Sequence, residues 1–268
     1  MSNKYLGRED APFGEEIFSK LDELVVAIAK SQLSARRLLD IEGPYGLALK
    51  SVPLVDEAVI AGDVKLMSSP ILPIPMLETE FTLGARDLAN YEETGFSLDS
   101  AAIAEAAMAA ARAEDILVFE GNKDLGVRGL LNIDGAQSVK LGNWGEPGAS
   151  ANDAIAAITA LDKAGFHGPY LLALEPGLYN MLLRLMPTGF QTELQYIENV
   201  VGSKVIKAPG IKKGGVLLAS GKQFVSIVIG QDMSVGFIGP EGPDYEFKII
   251  ESLAPRIRVP AAICVLKA

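Results

Sequence analysis

The 268-residue chain has one cysteine, one histidine and one tryptophan, and aromatic residues make up only 7% of it. A lone Cys264 excludes a disulfide framework and any zinc site built on cysteine. A lone His167 excludes a histidine cluster for metal and leaves a single imidazole for any catalytic triad. Positive charge is also short: 24 lysines and arginines face 34 aspartates and glutamates, a formal net charge of −10 and an isoelectric point near 4.8. Nucleic-acid binding needs clustered cations to neutralise phosphate, so it is not expected. The longest apolar stretches, Ala101 to Ala111 and Gly214 to Ala219, fall short of the ~20 residues of a spanning helix. Residues 1–10 hold no apolar core, so a cytoplasmic protein without a secretory signal is expected. What the chain has in plenty is hydrophobicity. Apolar residues make up 49% of it and the mean hydropathy is +0.25, which excludes intrinsic disorder. That surplus must be hidden in a core, in subunit interfaces, or in both.

The first helix is legible from spacing. Ile17, Leu21, Leu24 and Ile28 recur at helical intervals, Phe18 and Val25 widen their stripe, and Glu15, Glu16, Lys20 and Asp22 take other faces. Pro12 and Gly14 suit its start, and the pattern runs to about Leu39 before Gly43, Pro44 and Gly46 end it. From Leu47 to Met76 the chain reads as extended and irregular. Val52, Val55, Val59, Ile60 and Val64 favour strands, while Pro70, Pro73 and Pro75 exclude a central one, so this is an edge or an arm. Exposed aliphatics on such a hairpin are an aggregation hazard unless another subunit covers them. A strand is expected over Leu77 to Leu83, then a long helix from Ala101 to Gly121 capped by Ser97 or Asp99. Nine alanines in its first thirteen positions let another backbone come close. Residues 121–131 read as a turn region, and the Gly, Pro, Asn and Ser of 143–150 mark a boundary. A helix at 151–164, a strand at 170–174, a helix at 178–185 and strands at 216–218, 224–229, 247–253 and 256–266 complete the reading. Helices and strands mix without regular alternation, so the fold class is α+β.

Chemistry is scarce. The glycines of 121–129 follow a helix instead of preceding one and lack Gly-Lys-Ser/Thr, so they do not form a nucleotide-binding loop. No Gly-x-Ser-x-Gly elbow is present. His167 falls in a helix-to-strand connection and Cys264 in a final strand, the places of a solvated imidazole and an inert thiol. Glu114, Asp115 and Glu120 gather near the end of the long helix, with no histidine to join them. No catalytic residue, metal ligand or cofactor is assigned, and the residues favour a structural or assembly role.

Five segments occur in order along nearly the whole chain: Gln32-Leu33-x-x-Arg36-Arg37-x-Leu39-Asp40-Ile41-Glu42-Gly43-Pro44-Tyr45-Gly46, Phe81-Thr82-Leu83, Gly126-Val127-Arg128-Gly129-Leu130-Leu131, Gly168-Pro169-Tyr170 and Gly230-Gln231-Asp232-Met233-Ser234-Val235-Gly236. Together they resemble the encapsulins, the linocin/bacteriocin-type family of nanocompartment shell proteins. The resemblance implies an α+β chain with the tailed-phage major-capsid fold. Residues 1–46 would form an N-terminal cargo-docking helix region and 47–76 an extended loop lying over a neighbour. Residues 77–143 and 222–268 would form the peripheral domain, and 144–221 an axial domain around symmetry axes. Closed icosahedral assembly would absorb the apolar surplus, because obligate interfaces bury roughly 2,000–5,000 Å².

The family encloses a cargo enzyme whose terminal apolar peptide docks inside the shell, between the N-terminal helix and peripheral-domain strands. The matching positions are Ile28, Leu33, Leu38, Asp40 and Ile41, with Met233 and Val235. Ferritin-like iron-storage proteins and haem peroxidases are the cargo the family suggests. Met186, Pro187, Thr188, Gly189, Phe190 and Gln191 resemble its loop around the five-fold axis, a pore for ions. Some members stack a flavin on a tryptophan after the Phe-Thr-Leu strand; Arg86 stands about there in this chain, so that flavin is not expected. The implied partners are further copies of this chain and a cargo protein, not nucleic acid and not a membrane. A phage major capsid protein that packages DNA is the alternative, against which the negative charge counts. A bacteriocin or protease-type enzyme is the third reading, and no catalytic constellation supports it.

Overall fold

The computed structural model of the chain describes residues 4–95, 98, 100–186 and 189–268. After two short 3-10 turns, α1 (Glu15–Gln32) and the single turn α2 (Ala35–Leu38) lead into β1 (Asp40–Glu42). Four short strands follow: β2 (Ser51–Pro53), β3 (Glu57–Ala61), β4 (Val64–Ser68) and β5 (Ile71–Pro73). Next come β6 (Met76–Gly84), α3 (Ala85–Thr94), α4 (Ala101–Glu120) and the paired β7 (Gly121–Asn122) and β8 (Val127–Arg128). The middle of the chain holds β9 (Gln137–Lys140), α5 (Ala149–Lys163), β10 (Tyr170–Leu174), α6 (Pro176–Met181), α7 (Glu193–Val201), β11 (Val205–Lys207) and β12 (Gly215–Ala219). It ends with β13 (Val225–Ile229), β14 (Ser234–Glu241), β15 (Asp244–Ile257) and β16 (Ile263–Lys267).

Two five-stranded sheets organise these elements. In the first, the long β15 is central. Its first half lies between β6 and β14, with Phe247 opposite Phe81 on one side and Phe237 on the other. Its second half pairs with β13, which takes β1 in parallel along its other edge. Helices α1 and α4 pack on this sheet through Ile17, Phe18, Leu21 and Val25 and through Ala106, Ala107, Ala110 and Ala111. The Phe81 and Phe247 rings stack at 5.4 Å, and each buried phenylalanine contributes roughly 1.5–3 kcal/mol. The second sheet runs β11-β10-β12-β16-β9, packed with α5 and α7 around Trp144, Leu161, Leu172, Ile197 and Leu217. A middle core containing Val118, Phe119, Leu130, Val216, Ile227 and Ala254 joins the two. The Gly43–Pro44 and Gly168–Pro169 peptide bonds, each followed by a tyrosine, are both cis.

Several expectations from the sequence need correction. The first helix does not run to Leu39: it leaves helical geometry at Leu33 and restarts at Ala35. The cause is Asp115 of α4. Its carboxylate accepts the Ser34 N–H at 3.0 Å, the Ala35 N–H at 2.8 Å and the Ser34 hydroxyl at 2.5 Å, capping a new helix start from outside. The proposed α4 caps Ser97 and Asp99 lie outside the described residues, and Ser100 stands at the N-cap with no side-chain bond. The helix expected at 178–185 is instead α6, from Pro176 to Met181, started by the Glu175 carboxylate on the N–H groups of Gly177 and Leu178. The strand expected at 256–266 is two strands, broken around Pro260, and their last residues go to different sheets. β9 and β16, from segments that the resemblance assigns to the peripheral domain, hydrogen-bond into the second sheet. β16 is apolar on both faces and buried from Ile263 to Leu266, so it fits a covered position beside β12. Helix α3 has only Leu88 buried and therefore no apolar stripe to announce it. Helix α7 had a readable signal: Thr192 and Gln195 form a capping box.

Candidate functional site

The arm carries the most conspicuous surface. β2 pairs with β5 at its base and β3 with β4 beyond, and every residue of β3 and β4 is exposed. Val55 is 86% exposed and Ile60 77%, while Leu66 and Met67 also face solvent. Only the base is rooted, through Leu72 and Ile74 in the middle core. An apolar hairpin held at one end and uncovered along the rest is the surface of something that binds protein.

The seven expected peptide-binding positions do not form one open groove. Leu33, Met233 and Val235 are buried in the core beneath α1, and Leu38 is buried in the middle core. Ile28 is half-buried on α1, whereas Asp40 and Ile41 are exposed on β1, the outer strand of the first sheet. The seam between α1 and β14 is closed by the chain itself. Arg8 donates through Nε to the Val235 carbonyl at 2.8 Å and through Nη2 to both carboxylate oxygens of Asp22, while Asp22 accepts the Val235 N–H at 2.9 Å. Leu6 is buried beside them, and Gly7, at φ +69°, has no room for a Cβ, which would meet the Phe237 carbonyl at 2.6 Å. The four buried positions are thus core residues and line no open groove.

The segment Gly230 to Gly236 is built for packing too. A Cβ on Gly230 would lie 2.5 Å from Ser252 Oγ, and one on Gly236 3.0 Å from the Leu6 carbonyl. Asp232 accepts from Arg36 Nη1 at 2.9 Å, and the Ser234 hydroxyl donates to the Asp232 carbonyl. Arg36 also holds Glu114 through Nε at 2.8 Å and Glu251 through Nη2. Burial, and then the neighbouring Glu114 charge, push the Glu251 carboxyl well above the usual carboxylate range.

The described ends of the loop expected to line a pore are hydrogen-bonded to each other. Met186 N–H donates to the Gln191 carbonyl at 2.9 Å and Gly189 N–H to the Met186 carbonyl at 2.8 Å; Pro187 and Thr188 lie outside the described residues. Phe190 is 96% exposed, and Leu183 and Leu185 face solvent beside it. Its base is bolted to the start of α5 by the buried Glu193, which accepts from Arg184 Nε at 2.6 Å, the Ser150 hydroxyl and the Gly148 N–H. Burial pushes the Glu193 carboxyl up, but these donors outweigh it and hold the group below its ordinary value.

The other candidate groups named from the sequence are placed as follows. Asp115 caps α2, and Glu120 accepts the Lys212 N–H at 3.4 Å. His167 is exposed, with Nδ1 3.3 Å from Asp162, which also takes the Tyr170 hydroxyl. Burial pushes the Cys264 thiol up to about 11. Among the described residues no group of three histidine, cysteine, aspartate or glutamate side chains is placed to hold a metal ion.

Residues 3–254 match a family described as the encapsulating protein for peroxidase. A type 1 encapsulin shell protein of Myxococcus xanthus is 30% identical over 98% of this chain and 96% of its own. The chain belongs to the encapsulins. A ferritin-like–encapsulin shell fusion protein of Pyrococcus furiosus is 27% identical over 80% of this chain and 58% of its own length. The fold agrees with this membership. A virus-like particle from Pyrococcus furiosus superposes with a TM-score of 0.76 at 24% identity, over 94% of this chain and all of the other. The capsid of Myoviridae phage XM1 gives 0.62 at 16% identity, over 87% and 91%. The α+β architecture is therefore that of tailed-phage capsid proteins, and this encapsulin is a shell protein of a structural family. The encapsulin motifs read from its sequence coincide with packing devices: the Arg36 ion-pair hub, the Gly129 close approach and the Gly230–Gly236 turn.

Proposed function

We propose that this encapsulin assembles into a closed icosahedral shell of ~60 or more identical subunits, formed without nucleic acid or membrane in the cytoplasm. The observation that carries this reading is the outer part of the arm, where every residue of β3 and β4 is exposed and Val55, Val59, Ile60, Leu66 and Met67 face solvent. In the assembly it lies over a neighbouring subunit, with the first sheet, α1, α3 and α4 as the peripheral domain. The second sheet with α5 to α7 is the axial domain, which brings the Met186–Gln191 turn to a symmetry axis as an ion pore. The shell is a container, not a catalyst. Its cargo is an enzyme with an apolar terminal peptide, and the ferritin-like domain fused to the Pyrococcus furiosus relative favours iron-storage cargo.

The docking place is the inner face at the end of α1 and along β1. Ile28, Asp40 and Ile41 offer accessible contacts there, above the core residues Leu33, Leu38, Met233 and Val235. β1 is an edge strand, so an extended peptide gains main-chain hydrogen bonds as well as ~25 cal/mol per Å² of apolar burial. Size-exclusion chromatography and electron microscopy of the purified chain test the reading. Closed particles are expected; monomers or dimers at micromolar concentration would sink it. Co-purification of a reporter bearing the cargo's terminal peptide tests the dock. Ile41→Asp should abolish loading while particles still form, and unchanged loading places the dock elsewhere.

A further inference from the structure

Charge does not balance around Arg36. Its guanidinium receives Glu114 from α4, Glu251 from β15 and Asp232 from the turn before β14. The Asp232 side chain is 50% exposed and stays solvated, but those of Glu114 and Glu251 are 0% and 1% exposed. Asp115, next in α4, is occupied by Ser34 and Ala35, with the Arg37 charge nearby. The buried interior of the hub thus holds one cation against two carboxyl groups. A second buried negative charge with no partner is strongly unfavourable.

The hydrogen bonds point to how that cost is avoided. Glu114 and Glu251 each use Oε1 on Arg36, and each leaves a buried Oε2 with no donor. The two carboxyl groups lie within hydrogen-bond reach of each other. Two buried carboxyl groups in contact, each with an oxygen that no donor reaches, are satisfied by a single proton held between them. We propose that Glu114 and Glu251 share a single buried proton, Glu251 as the carboxylic acid donating to the Glu114 carboxylate, so that Arg36 faces one net buried negative charge.

The proton makes the hub sensitive to alkali. Burial outweighs Arg36 and raises the Glu114 carboxyl, and burial with the Glu114 charge raises Glu251 further. A folded value above the unfolded one gives stability that is fully present below the ordinary carboxylate range and is lost as pH rises through the folded value. Above it, α4 and β15 repel across the core, and the Asp232 turn is tied to α2 by a guanidinium that cannot satisfy three anions. The groups facing the pair are Arg36 from α2, Asp115 from α4 and Asp232 from the turn.

Infrared difference spectra and unfolding midpoints against pH, on the full chain, decide the matter. Glutamine at 251 reproduces the acid's shape, giving its amide N–H to Glu114 and its carbonyl to Arg36. The wild type near neutral pH should show the carbonyl stretch of a protonated carboxyl group, and Glu251→Gln and Glu114→Gln should each lose it. Each single variant should also lose the alkaline fall in midpoint with little change at neutral pH. The double variant Glu114→Gln/Glu251→Gln, which leaves Arg36 without a buried anion, should unfold earlier at every pH. A band that survives in Glu251→Gln, or single variants that fall as far as the double, would overturn the shared proton.

Discussion

Gly129 stands where a methyl group has no room. A Cβ there would lie 2.3 Å from the Gly121 nitrogen and 2.5 Å from the Phe119 carbonyl, because the chain after β8 turns back onto the end of α4. Gly129→Ala is expected to cost about 3 kcal/mol in urea unfolding, against about 1 kcal/mol or less for Gly14→Ala, which loses only the preference for glycine at the start of α1 because nothing lies within 4 Å. Glu193 sets a pH dependence opposite in sign to that of the Arg36 hub. Its folded value is lowered by Arg184, Ser150 and Gly148 in spite of burial, so its contribution is present above the ordinary carboxylate range and lost as pH falls through the folded value. Glu193→Gln should lower the neutral melting temperature and flatten its fall on the acid side. An unchanged acid limb in thermal scans would show that the bolt under the Met186–Gln191 turn does not hold the fold.

At the scale of elements, the arm and the α1–α2 break make separate predictions. The Leu54 N–H donates to the Pro70 carbonyl at 2.8 Å, so residues 55–69 can be replaced by a short turn there without disturbing Leu72 or Ile74. The shortened chain should fold with native circular dichroism yet fail to form particles in size-exclusion chromatography. Normal particles from it would remove the arm from the assembly mechanism. The break depends on one carboxylate. Asp115→Ala leaves the N–H groups of Ser34 and Ala35 without their acceptor and should cost about 1–3 kcal/mol, measured as a shift of the denaturation midpoint.

For the whole molecule, the two predictions concern what passes in and what is held. Phe190 is the most exposed large apolar side chain on the described part of its turn, so Phe190→Ala should speed iron uptake into loaded shells while particle size stays constant. An unchanged rate would argue against a pore at that turn. Cargo retention is better tested on the surface than in the core. Aspartate at Val235 would strike a side chain that is 0% exposed and would unfold the subunit before it reported on docking. Ile41→Asp and Ile28→Asp act on side chains that reach the surface, and separate loading from folding.

The sequence by itself determined α1, β6, α4 and β10, because spacing, alternation and alanine content are local properties that survive any tertiary arrangement. It also marked residues 47–76 as an apolar, proline-broken edge or arm, since prolines among large aliphatics exclude a central strand. Its ordered motifs carried the family. What it could not decide were matters settled between distant residues. Asp115 ends α1 from 81 positions away, β16 leaves the strand before it for the other sheet, and Arg8 fills the α1–β14 seam from 227 positions away. The same is true of the site: Met233 and Val235 alternate as lining residues do, and only packing showed that the face they share is the inside of the subunit. Burial is a property of what comes to lie opposite a side chain, and periodicity names the face without naming its neighbour.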